Sequence, residues 1–236
     1  MTPQQFAAYA LVLLMPLSAA LPLTRPLWSE AHWLYVTPAL ETVDAPAVLV
    51  VLFTWLAPRR QTEARARLRF VHILAALTAL GLLSVVNAWL PSLAIAFTLR
   101  WALAAAVCWA LVAVDPRLER LVGVFAMGLA IQSLIAIGQV VHRGPLGLPG
   151  ELAPLPSAVG ASVIAVGSGV WLRAYGLTFH PNVLGGFLST GLILTLPLLR
   201  SRVARLGWWL MSLALLATLS RSAILAAALV LPPVVV

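Results

Sequence analysis

The residues best suited to chemistry lie in one run, Arg173-Ala-Tyr-Gly-Leu-Thr-Phe-His-Pro-Asn182, and in a shorter one, Ser220-Arg221-Ser222. Both interrupt strongly apolar sequence, so both set cationic and hydrogen-bonding groups at the edge of an apolar medium. A guanidinium is a planar fork of donors that matches phosphate oxygens two at a time. Gly176 permits a backbone turn that other residues resist. His180-Pro181-Asn182 opens an apolar run that reads as a helix: Pro181 suits a first turn, and His180 or Asn182 can cap it or take a ligand at its positive end. Together these groups suit a phosphate or diphosphate. Snorkelling is the plain alternative for each arginine, with the head in water and the stem along apolar surface.

Other polar residues carry less. Arg100 stands inside an otherwise apolar run, where an ionisable group is costly and normally faces a partner, a cavity or a pathway. Gln132 and Gln139, seven apart and so on one helical face, are candidate partners for it, or hydrogen-bonding glue between helices. Gly185 and Gly186 allow close approach by a neighbouring helix or by a lipid chain. His72 and His142 fall near helix ends. Four histidines at wide spacing and seven scattered acids form no metal-ligand cluster, and no nucleotide-binding or nucleophile motif is present, so no metal or cofactor is expected. The single cysteine, Cys108, lies in an apolar run and reads as a small buried hydrophobe.

These groups must be held by membrane helices. Of 236 residues, 62% are hydrophobic and only 9% charged, with a mean hydropathy of +1.01, far from the composition of a soluble domain. An all-α, polytopic helical bundle of about seven or eight membrane helices is expected. The candidate spans are Phe6–Leu23, Asp44–Ala57, Phe70–Ala88, Leu93–Val114, Leu121–Val141, Asn182–Leu199, Leu206–Leu219 and a shorter Ala223–Val236. The second is expected to begin nearer Pro38, with Glu41 and Asp44 in its first turns. The fourteen-residue last run has no polar anchor after it and reads as a helix cut short, so the chain is expected to be incomplete.

All fifteen cations are arginine, and the net charge is +8. Arginines in short gaps between apolar runs set topology or meet anionic lipid, so nucleic acid is not an expected partner. Ten of the fifteen lie in three gaps: Arg59, Arg60, Arg65, Arg67 and Arg69; Arg117 and Arg120; Arg200, Arg202 and Arg205. Placing those gaps in the cytoplasm puts the amino terminus there too. It sends Thr24–Thr37, with Trp28, Trp33 and Tyr35, and the long segment His142–Pro181 to the opposite side. Trp89 and Trp171 join the interfacial aromatic belt. Ser157–Leu172 is read as a re-entrant or interfacial loop piece, since a crossing there would invert the arginine bias, and Gly144–Pro156 as proline-rich coil. On this topology Arg173, His180 and Arg221 share one face. Two regions follow: residues 1–120, holding the first four helices, and residues 121–236, holding the loop and the remaining helices.

The motif order Arg173-x-x-Gly176, Phe179-His180-Pro181-Asn182, then Thr218-Leu219-Ser220-Arg221-Ser222-Ala223, resembles that of the O-antigen ligase and polymerase superfamily, from about Leu121 onward. That resemblance implies a metal-independent transferase. It would move a glycan from an undecaprenyl-diphosphate carrier to an acceptor at the periplasmic face of a bacterial inner membrane. It implies that Arg173 and Arg221 hold the carrier diphosphate, with Gly176, His180, Pro181, Asn182 and Ser220 in support. The catalytic base in such ligases is a histidine in a later periplasmic loop, beyond residue 236, and His180 is not assigned that role. Ligase and polymerase are not separated by these residues. A membrane transporter, such as the inorganic-carbon type placed in the same superfamily, is the alternative; internal repeats and a midplane site would favour it.

Overall fold

The structure is a computed structural model that describes residues 1–17, 20–22, 39–57, 68–114, 116–158, 160–167 and 169–235. The described residues are mostly helical, with eight α-helices. The chain divides into two units, one formed by residues 1–11 and 20–117, the other by residues 12–19 and 118–236.

Helix α1 (Pro3–Leu14) starts the chain and belongs to the first unit as far as Leu11; in that unit α2 is Asp44–Leu56, α3 is Leu68–Ser84 and α4 is Pro91–Val114. Helix α1 is shorter than the apolar run suggests. Pro16 cannot donate, and Leu17 N turns back to Leu14 O at 2.8 Å. Ahead of α2 the chain is extended: β1 (Ala20–Pro22) pairs antiparallel with β2 (Ala39–Glu41). The second helix therefore begins at Asp44 and not near Pro38, and Glu41 belongs to a strand. Asp44 sits in the first turn of α2, where the helix dipole favours an acid, and its Oδ2 accepts from Glu41 N at 2.7 Å. Ala7, Ala8 and Leu11 of α1 pack with Ala47, Val50 and Ala110. Helices α3 and α4 approach closely where Gly81 faces Thr98; a Cβ on that glycine would stand 3.0 Å from the Thr98 hydroxyl.

In the second unit, α5 (Leu118–His142) leads into the loop, a β-hairpin follows, and α6 (Pro181–Leu194), α7 (Arg202–Thr218) and α8 (Arg221–Val235) complete it. Helix α5 ends on Arg143 in the left-handed region (φ 62°), with Gly144 N donating to Gln139 O at 3.0 Å, a Schellman-type stop. The segment Ser157–Leu172 is neither a span nor a helix. It contains β3 (Val163–Val166) and β4 (Gly169–Leu172), paired antiparallel with Val163 opposite Leu172. The buried positions recur at helical spacing: Leu184, Leu188 and Leu192 on α6 and Ala223 and Ala227 on α8 meet Leu129 of α5 and Met211, Ala214 and Leu215 of α7. Small residues set the approach. An added Cβ on Gly191 would strike Leu129, and one on Gly128 would lie 2.7 Å from Leu13 O.

Two helices, α4 with 24 residues and α5 with 25, are long and apolar enough to cross a membrane. The other described helices run 12 to 17 residues, below the length that a perpendicular crossing needs. Seven or eight spans are thus not supported. The apolar runs are longer than the helices because Pro16, the 3₁₀ turn Val85–Asn87, and the 3₁₀ turn Leu196–Leu198 with Pro197 end them early. The surface is nevertheless apolar: Leu83 is 69% exposed, Trp55 66% and Trp89 96%. Such a surface suits lipid or a partner better than water. The arginine gap from 59 to 67 and the loop with Trp28, Trp33 and Tyr35 lie outside the described residues, while Arg69 falls in the first turns of α3.

Candidate functional site

The run Arg173–His180 forms a strap from the end of β4 to the start of α6. At its root, Arg173 N donates to Ser162 O at 3.1 Å, and the Tyr175 hydroxyl accepts from Ser162 N at 2.8 Å. Gly176 takes the left-handed conformation (φ 59°), as its residue type suggests, and a Cβ there would collide with Gln132 Oε1.

The strap is fixed from below by α5. Gln139 is fully buried: its Oε1 accepts from Tyr175 N (3.1 Å) and Gly176 N (2.8 Å), and its Nε2 donates to Gly176 O (2.8 Å) and Glu151 Oε1 (2.7 Å). Gln132 Oε1 accepts from Leu177 N at 2.7 Å, and its Nε2 donates to Pro16 O at 3.1 Å. These two glutamines share a face as their spacing requires, but they hold the strap and are not partners of Arg100. Their buried amides satisfy strap backbone groups that would otherwise be orphaned.

At the other end His180 caps α6. Its Nδ1 accepts from Asn182 N at 3.1 Å, Pro181 occupies the first turn, and its Nε2 lies 3.3 Å from Ser162 Oγ. With Nδ1 accepting, the proton belongs on Nε2. Burial, and then the Arg173 cation, hold the imidazole below its ordinary value and so favour its neutral form.

Arg173 bridges two helix ends. Its Nε donates to Thr218 O at 2.7 Å, and one terminal nitrogen donates to Asn182 Oδ1 at 2.9 Å. Ala174 N donates to Ala217 O at 3.2 Å, so the strap serves carbonyls at the C-terminal end of α7, where a cation is favoured. Two of the five N–H donors of the guanidinium are used in this way. Burial lowers its affinity for protons; Tyr175 opposes this, and the Arg221 charge adds to it. Arg221 lies 48 residues further along the chain, three residues beyond the Thr218 carbonyl that Arg173 holds.

Leu219 takes the left-handed conformation (φ 50°, ψ 29°) and separates α7 from α8 by two residues. Arg221, exposed, begins α8. Ser220 is buried, and its Oγ has no hydrogen-bond partner among the described residues. It faces α6: a Cβ on Gly185 would stand 2.9 Å from Ser220 Cβ and 3.1 Å from Ala223 Cβ. That contact sets the N-terminal ends of α6 and α8 side by side, each with the partial positive charge of its helix dipole, although the first-turn N–H groups of α6 are already met by His180. The glycine pair divides its work: Gly185 packs helices, while Gly186 meets open space. An apolar cavity of about 650 Å³ lies along that second face, lined by Leu121, Val122, Phe125, Gly186 and Phe187, with Met15 from the turn after α1. It extends from Asn182 to Leu194, a helical length of about 18 Å.

Arg100 belongs to the first unit and pairs with acids: a terminal nitrogen is 2.8 Å from Glu41 Oε1, and the other is 3.5 Å from Asp44 Oδ2. An ion-paired arginine on α4 that ties down the start of α2 has a sufficient structural purpose. Sequence reasoning missed Glu151. Burial opposes its ionisation, but backbone N–H groups of Leu146 and Leu148 and the Gln139 amide outweigh that and hold the carboxyl below its ordinary value. A lone acid among Pro145, Pro149, Pro154 and Pro156 was the available signal.

No family model, curated protein or solved structure matches the chain.

Proposed function

We propose that this chain is a multi-pass membrane glycan transferase of the O-antigen ligase or polysaccharide polymerase type. On this proposal Arg173 and Arg221 hold the diphosphate of an undecaprenyl-linked oligosaccharide at the periplasmic face of a bacterial inner membrane, and the amino terminus is cytoplasmic. The observation that carries it is the packing of the N-terminal ends of α6 and α8 at Gly185, with Arg173 bonded to Asn182 of α6 and to the Thr218 carbonyl three residues before Arg221, the first residue of α8. Two guanidinium groups beside the positive ends of two helices favour an anion with more than one negative oxygen. The apolar cavity that begins at Asn182 supports a ligand with a long hydrocarbon tail, and the wide exposed apolar surface supports a lipid surrounding.

In the reaction proposed, an acceptor hydroxyl oxygen attacks the anomeric carbon, the bond from that carbon to the diphosphate oxygen breaks, and a base takes the hydroxyl proton. Charge develops on the departing diphosphate. The positive ends of the two helix dipoles and the remaining N–H groups of the arginines stabilise it. His180 is not that base, because its Nδ1 is engaged as a helix cap.

The test is retention of undecaprenyl diphosphate by the chain in lipid nanodiscs, together with glycan transfer in cells. Arg173→Ala and Arg221→Ala are each expected to lose retention at least about tenfold, the loss of one charge-assisted contact, and to abolish transfer without loss of membrane insertion. Normal retention by both variants would sink the diphosphate reading.

A further inference from the structure

The geometry points to Glu151 as a positioning residue for the anion-binding strap, acting through Gln139. The inference rests on the diphosphate reading above, because it assigns what aligns Arg173 and not what Arg173 binds.

An amide side chain can be seated in two orientations that exchange its oxygen and nitrogen. Around Gln139 the strap's two donors, Tyr175 N and Gly176 N, meet the oxygen and its acceptor, Gly176 O, meets the nitrogen, so all three contacts require the same orientation. Glu151 Oε1, 2.7 Å from Gln139 Nε2, takes the second amide hydrogen and reinforces that orientation from outside the strap, because a carboxylate accepts only. The nitrogen must then face Glu151, and the oxygen must face the two strap N–H groups.

Glu151 is in turn fixed by its own turn. Oε1 accepts from Leu146 N and Oε2 from Leu148 N, each at 2.9 Å, while Glu151 N donates to Leu148 O at 3.0 Å. Both carboxylate oxygens are thus met by donors. The polar chain runs without a break from the Leu146–Leu148 turn through Glu151 and Gln139 to Tyr175 and Gly176, two and three residues after Arg173. A carboxylate is required at 151. In Glu151→Gln one of the two oxygens becomes an NH₂ group and must face a backbone N–H, while size and shape are kept. The turn, the carboxylate and the amide form one alignment device, and the part that touches ligand is Arg173.

The experiment uses the chain in nanodiscs, geranyl diphosphate as the probe, and amide hydrogen exchange read on two peptides, 144–151 and 173–178. Glu151→Gln is expected to speed exchange at Tyr175 and Gly176 and to weaken probe binding about tenfold, the scale of losing one hydrogen bond to a charged group. Arg221→Ala is expected to weaken binding and leave strap exchange as it was. A purely local role for Glu151 in its own turn predicts otherwise: faster exchange in 144–151 alone, with strap exchange and affinity unchanged. That result overturns the positioning role, and if Arg173→Ala still loses binding, the diphosphate reading survives it. Unchanged binding in Arg173→Ala overturns both. If Glu151→Gln does not fold, Glu151→Asp, which keeps the charge but draws it back by one methylene, reads the same two peptides against the same outcomes.

Discussion

Replacing Gly185 by alanine drives a methyl group between α6 and α8 at the point where their N-termini meet. The added carbon would stand 2.9 Å from Ser220 Cβ and 3.1 Å from Ala223 Cβ, whereas carbon atoms rest at about 3.5–4.0 Å. Both obstacles are Cβ atoms fixed to helical backbone, so no rotamer change relieves them and the helices must part by roughly 0.5–1 Å. Overpacking of this kind costs about 1–3 kcal/mol. Against it stands the helix-propensity gain of Gly→Ala, about 1 kcal/mol. Gly186→Ala is the matched control. It has the same propensity gain and open space around its Cβ. The difference in unfolding free energy between the two variants should therefore equal the overpacking term, with Gly185→Ala the less stable by about 1–3 kcal/mol. Denaturant unfolding in detergent measures that difference. Geranyl diphosphate affinity measures its effect on the paired helix ends, and only Gly185→Ala should lose affinity. Equal stability and equal affinity in the two alanine variants would show that the α6–α8 contact does not set the anion site.

Three further outcomes are expected. Gly176→Ala, which combines a left-handed backbone with a collision at Gln132 Oε1, should cost about 2–3 kcal/mol in unfolding measurements, and a neutral effect would mean that the strap is held otherwise. The His180 value is depressed from 6.5 and the Glu151 value from 4.5, so the unfolded chain binds more protons in each case. Stability from His180 is present above pH 6.5 and falls as pH drops through its folded value; that from Glu151 falls in the same direction below pH 4.5. His180→Asn keeps a capping side chain but removes the upper titration, and should flatten the stability profile below pH 6.5; an unchanged slope assigns it elsewhere. Arg100→Gln leaves Glu41 and Asp44 without their cation and should destabilise by about 1–3 kcal/mol, between the values for exposed and buried pairs. Adding Glu41→Gln should restore part of the loss in a double-mutant cycle.

The helical character of the chain and the identity of the strap are legible in the sequence because they rest on local signals: long apolar runs, a glycine that needs positive φ, and a proline in a first helical turn. Helix ends are less legible. The first apolar run continues past Leu14 in hydropathy, but Pro16 withholds a donor and the helix stops. Ser157–Leu172 is apolar without helical or strand periodicity, and its hairpin depends on pairing between Val163 and Leu172 that no local pattern announces. Polar partners are least legible of all. Gln132 and Gln139 share a face by spacing alone, yet what that face meets is set by how the loop returns over α5, 36 residues later for the Gln139–Tyr175 bond. For Arg100 the partners stand 56 residues away, at Asp44, and further still at Glu41. Long-range closure decides such pairs, and residue types only bound the choice.

Leu219 carries one more consequence. A junction between two helices is commonly made by glycine, which can swing through many conformations; here a leucine is held at φ 50°, a well with little room on any side and a cost of about 1–2 kcal/mol. That left-handed residue makes the turn from α7 into α8, and with it the gauge between the Thr218 carbonyl that anchors Arg173 and the first turn that bears Arg221. A site built on a fixed gauge measures its ligand as a caliper does. On the diphosphate proposal, such a gauge should separate one phosphate from two by the spacing of their oxygens, and not by charge alone.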